Sequence, residues 1–110
     1  MENDEYTWSK TEKKIARKIF DAAYEKEISQ IAQEVSARIQ EYKSSKDLWE
    51  LHDFITNKRK ETDYKYDYRY SVLIFVFANL LKDGYISKSD LIGLKEGKIQ
   101  LIEERAKTLG

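Results

Sequence analysis

The chain has 110 residues, of which 41% are hydrophobic and 36% charged, with 20 basic and 20 acidic side chains and no net charge. That length makes a single domain, 1–110, with a modest core. Zero net charge argues against a general nucleic-acid binder, whose affinity comes from neutralising phosphates. The absence of cysteine excludes disulfides and thiol chemistry and fits a cytoplasmic protein.

The lead-in MENDEYTW is acidic and polar, reads as frayed, and is not expected to act as a secretory signal. Ser9 is the expected helix N-cap, with Glu12 three residues on in the capping-box arrangement. No proline interrupts the chain beyond it. Ile15, Ile19, Ala22, Ala23, Ile28, Ile31, Val35, Ile39 and Tyr42 recur mostly at spacings of three and four, which predicts one amphipathic helix to about Tyr42. Tyr24, Ile28, Ile31, Val35 and Tyr42 also fit a heptad seam, with Arg38 in the missing slot. Such a helix would be about 48 Å long, too long for a compact monomer with a radius of gyration of roughly 13 Å. Its stripe is therefore expected to pack in part on a second chain. The alternative is a break near Glu25 to Ser29 that makes two antiparallel helices.

Ser44 to Asp47 reads as a turn, with Asp47 capping the next helix and Glu50 at its third position. Leu48, Leu51, Phe54 and Ile55 make its inward stripe. Trp49, His52 and Asp53 fall on an adjacent face, and Arg59 lies further along. Tyr64, Tyr66, Tyr68 and Tyr70 alternate with charged residues, a period of two that suggests a strand. A lone strand would have no partner here, so this stretch and the apolar run from Val72 to Leu81 are assigned to helix. Gly84 supplies the helix stop. Ser87 with Asp90 restarts the chain, Leu91 and Leu94 face inward, and a last helix is expected from about Lys98 to Lys107. The longest apolar run falls far short of the ~20 residues needed to cross a bilayer. The fold class is all-α, with a long amphipathic N-terminal helix, central helices and a short helical C-terminal head.

Little in the chain offers catalysis. DGYISKSDL looks like half of a calcium loop, but aligning Gly84 with the loop glycine puts Leu81 at a position that must donate oxygen. A single histidine without cysteine is a poor metal set. No nucleophile elbow or phosphate loop is present, so no catalytic residue, metal or cofactor is assigned. Asp53 and His52 point in different directions and need not pair. Asp53 and Arg59 are six apart, a poor spacing within one helix but a usable one across an antiparallel crossing of two copies near Ile55. The tyrosines with Lys65 and Arg69 could stack nucleobases, yet Asp63 and Asp67 between them would repel phosphate. A protein-binding role suits them better.

Two blocks, DLWELHDFITNKR (47–59) and KYDYRYSVLIFVFANLLKDG (65–84), carry a resemblance to a known family. They match DLW-x-LHDFL-x-x-KR and KYD-x-R-x-SVLIFVFA-x-LLK-x-G, collinear and dense over about a third of the chain. The sequence thus resembles the fluorescence recovery protein family of cyanobacterial photoprotection. The resemblance implies a cytoplasmic, all-helical, non-enzymatic homodimer, with about 9–61 as the dimerisation part and about 65–108 as a helical head. Its implied partner is the red, light-activated orange carotenoid protein, bound chiefly at the C-terminal domain, whose return to the orange form it speeds. That ends quenching of phycobilisome fluorescence. Trp49, His52, Asp53 and Arg59 then belong at or beside the dimer interface, and Phe75 belongs to the head surface that touches the partner. Lys98 is the nearest candidate for the family's basic C-terminal positions. With Leu48, these make up the interface and partner-binding set. The departures are Tyr64, Tyr68 and Tyr70, where the family pattern has glycine, acidic or amide residues. The alternative is a relative with the same fold and dimer but another protein partner, such as a signalling protein, in a bacterium without phycobilisomes.

Overall fold

The computed structural model describes residues 7–109, so the first six residues of the lead-in, expected to be frayed and not a secretory signal, lie outside the described residues. Four α-helices and one 3₁₀ turn succeed one another along the chain: α1 (Lys10–Gln40), α2 (Ser45–Lys65), α3 (Leu73–Asp83), the 3₁₀ turn Lys88–Leu91, and α4 (Glu96–Thr108). Among the described residues there is no strand, only one isolated bridge between Ile92 and Leu94. The fold is all-α.

α1 runs unbroken for 31 residues. Its start is the expected capping box. The Ser9 hydroxyl accepts from the Glu12 backbone N–H at 3.0 Å, and Glu12 Oε1 accepts from the Ser9 N–H at 3.0 Å. No break occurs near Glu25 to Ser29, where nothing competes with the helix. The molecule is accordingly elongated, 61 × 23 × 20 Å, with a radius of gyration of 17.0 Å.

α2 folds back along the distal half of α1 as an arm. Its N-cap is Ser44, not the expected Asp47. Asp47 sits at the third helical position, and its carboxylate reaches back to the N–H groups of Ser44 and Lys43 at 3.3 and 3.0 Å. The expected inward stripe of α2 is only partly realised: Leu51 is buried and Phe54 half-buried, while Leu48 and Ile55 are exposed.

The core lies at the other end, in the head. Trp8 joins Ala16, Phe20, Leu73, Phe77 and Ile102 in one buried cluster. The run from Leu73 to Asp83 is helical, as expected, and buried over most of its circumference. It stops at Gly84, which takes the left-handed conformation at φ 83°. Leu91 and Leu94 are buried as expected, and α4 begins two residues earlier than expected, at Glu96.

Two expectations fail in instructive ways. Trp8 is not frayed: it is 6% exposed and its indole N–H donates to the Tyr70 carbonyl at 3.2 Å. The stretch from Tyr66 to Tyr70 is not helical; α2 ends at Lys65, and the next residues form an irregular strap that leads into a turn. The period of two is real but serves no sheet. It turns the rings of Tyr66 and Tyr68 onto Phe20 of α1, in edge-to-face contacts with centroids 5.4 and 4.9 Å away.

Candidate functional site

The described structure sorts the sequence-derived site residues into three places. Trp49, His52 and Asp53 form one exposed cluster on α2. The Trp49 and His52 rings meet edge to face at 6.2 Å, as helical neighbours three apart can. His52 Nδ1 lies 3.3 Å from an Asp53 carboxylate oxygen, a pairing that their positions on the helix do not require. Adjacent positions on a helix diverge, but two exposed side chains can swing together. Leu48, 46% exposed, lies on the same α2 turn. Arg59 stands apart from Asp53 within the chain and pairs one turn onward with Asp63, at 3.7 Å.

Phe75 lies on α3, 43% exposed, with the Arg105 guanidinium of α4 stacked 4.1 Å from its ring centre. It lines a groove of about 900 Å³ together with Asp67, Arg69, Val72 and Asn79. Arg69 donates to Asp67 at 2.8 Å and holds that carboxyl below the usual range. Arg105 escapes a reading of the sequence; its only trace is a basic residue in the last turn of α4.

Lys98 belongs to neither surface. It is 1% exposed, and its ammonium lies 3.2 Å from Glu12 and donates to the Thr7 carbonyl at 2.7 Å. Its assignment to a partner-binding surface is therefore corrected: it pins the start of α1 to the start of α4. Glu12 completes the pin by accepting from the Lys95 N–H at 3.0 Å.

A second polar knot, missed in the sequence, joins arm and head. Lys65 Nζ lies 3.0 Å from Glu27 and 2.8 Å from Asp83. The Tyr66 hydroxyl donates to Glu27 at 2.8 Å. Burial and the Glu27 carboxylate push the Tyr66 phenol well above its ordinary value near 10. Burial pulls the Lys65 ammonium down, but the bonds to Asp83 and Glu27 outweigh it and leave the pKa raised. Burial and the Tyr70 hydroxyl push Tyr68 up to about 12. The folded chain thus holds protons that the unfolded chain releases. For such raised groups the stabilisation is full below the unfolded values near 10.0 and 10.5 and is lost as pH rises beyond them. Stability, measured by urea unfolding, is expected to fall steeply above about pH 10. Tyr66→Phe should cost about 1–2 kcal/mol at pH 8 and make that fall shallower. An unchanged alkaline slope would show that Tyr66 is not the titrating group.

The knot also bears on nucleic-acid stacking. Tyr66, Tyr68 and Tyr70 turn inward and pack on the core; Tyr64, 90% exposed, is the only ring of the four left in solvent. Among the described residues, no group of three or more His, Cys, Asp or Glu could hold a metal ion, and no helix is long and apolar enough to cross a membrane.

Comparisons with known proteins agree with this architecture. Residues 8–106 match the family model described as photoprotection regulator fluorescence recovery protein. The fluorescence recovery protein of Synechocystis sp. PCC 6803 is 40% identical over 105 residues, 93% of this chain and 96% of that protein. The solved structure of the Fremyella diplosiphon fluorescence recovery protein is also 40% identical. It superposes with a TM-score of 0.88, covering 92% of this chain and 99% of that one. The Synechocystis structure gives the same TM-score, identity and coverage. The chain belongs to the photoprotection regulator fluorescence recovery protein family.

Proposed function

We propose that the chain is a cytoplasmic, non-enzymatic regulator that works as a homodimer. It binds the red, photoactivated form of the orange carotenoid protein, chiefly at the C-terminal domain, and speeds its return to the orange form. Phycobilisome quenching then ends. The observation that carries the dimer is the arm. Ile39, Tyr42, Leu48, Trp49 and Ile55 are all exposed there, while the buried core cluster sits in the head. Exposed large apolar side chains in that number on one arm favour an interface, with Trp49 as a typical anchor. In this scheme about 9–61 supply the dimer contact, with Asp53 of one copy facing Arg59 of the other, and about 65–108 present Phe75 to the partner. The mechanism is differential binding: contacts made to the compact domain arrangement, or to the transition state leading to it, lower the barrier to relaxation.

The test monitors dark recovery of a photoconverted orange carotenoid protein by absorbance, with and without the full chain. Acceleration is expected, and Phe75→Ala should abolish most of it while leaving the dimer intact. In sedimentation, Asp53→Arg and Arg59→Asp should each weaken the dimer, and the double reversal should restore it. No acceleration from a folded dimer would sink the partner assignment. Failure of the double reversal would sink the Asp53–Arg59 pairing.

A further inference from the structure

We propose that the groove between α1 and the 85–92 segment is a docking site for an acidic protein segment. The segment would be helical, with two carboxylates about two turns apart around an apolar side chain. The groove has about 420 Å³, with Ile15, Ile19, Ala22, Ala23 and Ile86 among its lining. That volume is within the usual range for a binding site.

Its rim carries a positive surplus, with Lys18 and Lys26 set against the single carboxylate of Asp90. Lys18 and Lys26 line it eight residues apart on α1, hence ~12 Å along the axis. Lys26 donates to the Gly84 carbonyl at 3.3 Å, not to a carboxylate, and no ion pair engages either lysine among the described residues. Of the acids nearby, Asp90 keeps its charge but is turned toward Ser87, whose N–H it caps at 2.8 Å, and Asp21 is paired on its own helix with Arg17 at 3.5 Å. In a chain whose charges balance overall, this is a local cationic surplus beside an apolar floor.

The groove is also preformed. Gly93 takes φ 106°, and a Cβ there would come within 2.4 Å of Ile15 Cδ1, so the backbone is clamped against α1. The preceding Ile92 is thrown outward, 75% exposed at the groove edge. An apolar side chain laid between Ile92 and Ala22 would bury both, and the two ammonium groups would meet carboxylates on either side. Little ordering would be needed on binding, because the loop is already fixed. The groove shares no lining residue with the Trp49 cluster or with the groove at Phe75. It therefore stands or falls independently of the proposed regulatory role.

The test is an amide NMR titration of the full-length chain. The probe is a capped alanine-based helical peptide with a central leucine flanked by glutamates four residues to either side. Shifts confined to residues 15–26 and 85–92 are expected. The double variant Lys18→Glu, Lys26→Glu should bind about tenfold or more weakly and should instead prefer the matching lysine peptide. Ile92→Ser should also weaken binding without changing the helical circular dichroism. The proposal is overturned if the peptide gives no localised shifts, or if the lysine peptide binds the wild type equally well. It is likewise overturned if only dodecanoate perturbs these residues, or if the same shifts arise from raising the concentration of the chain alone, since the occupant would then be a lipid or a second copy.

Discussion

Replacing Lys98 by alanine is expected to destabilise the chain by about 3–5 kcal/mol, the usual cost of removing one partner from a buried ion pair. Glu12, 2% exposed, would keep only the backbone donors Ser9 and Lys95. Thr7 would also lose the ammonium donor on its carbonyl. Changing both partners to apolar residues, Lys98→Met with Glu12→Leu, leaves no buried charge and should cost less than Lys98→Ala, its main penalty being the two bonds that Glu12 accepts from the Ser9 and Lys95 N–H groups, about 1 kcal/mol each. The pH dependence carries a sign. In the wild type, burial pushes the Glu12 carboxyl up, but the N–H groups of Lys95 and Ser9 and the Lys98 ammonium outweigh it, so the net shift is downward from 4.5. A carboxylate held low contributes stability above its unfolded value, and that contribution is lost as pH falls through the folded one. In Lys98→Ala the burial is less opposed, so protonating Glu12 relieves the variant and its deficit should narrow on acidification. Urea unfolding between pH 3.5 and 7 at one fixed protein concentration measures this, since an associating chain has a concentration-dependent midpoint. A deficit that is small at pH 7, or that widens on acidification, would contradict the account.

The second large effect is expected at Trp8. Trp8→Ala should cost about 3–5 kcal/mol, as truncations of buried aromatics do. The ring packs against Phe77 at 6.4 Å and Tyr70 at 5.9 Å, and the Lys98 ammonium lies 4.9 Å from its centre. Trp8→Phe should cost less, since it keeps an aromatic surface and loses the bond to the Tyr70 carbonyl. Because Trp8 and Lys98 touch, the two alanine variants should not be additive. A Trp8→Ala loss below about 1 kcal/mol would mean that the site relaxes around the gap.

These two residues mark the limit of what local pattern can show. The helices are legible because their signals are local: the spacing of apolar residues along α1, the Ser9–Glu12 box, the glycine stop at Gly84. The cluster on α2 is legible for the same reason, since Trp49, His52 and Asp53 are neighbours on one helix. Lys98 reads as a surface residue because a lysine in a charged helix is ordinarily solvated, and only the distant Glu12 makes its burial tolerable. Trp8 looks like the end of a tail because its partners, Tyr70 and Phe77, come more than sixty residues later. The tyrosine alternation is visible, but a strand without a sheet has no hydrogen-bonding partner, which favours helix. What local pattern lacks is the idea that an irregular segment can spend its side chains on a helix. The cap of α2 is misread by three positions because Ser44 and Asp47 both suit a cap, and the carboxylate reaching back decides between them.

The pin between α1 and α4 has a consequence for biosynthesis. The Lys98–Thr7 bond spans 91 residues and the Lys95–Glu12 bond 83, so the head closes only when the last helix arrives. At a translation rate of about 5–20 residues per second, roughly 5–18 s separate the synthesis of Trp8 from that of Lys98. Until then the head core lacks the pin and the buried Ile102 that α4 supplies. Helical proteins usually fold fast because their contacts are local; this one postpones its decisive contact until α4 has been made. The nascent chain is therefore most exposed to aggregation while still attached to the ribosome, and a truncated product lacking α4 should be the form that chaperones retain.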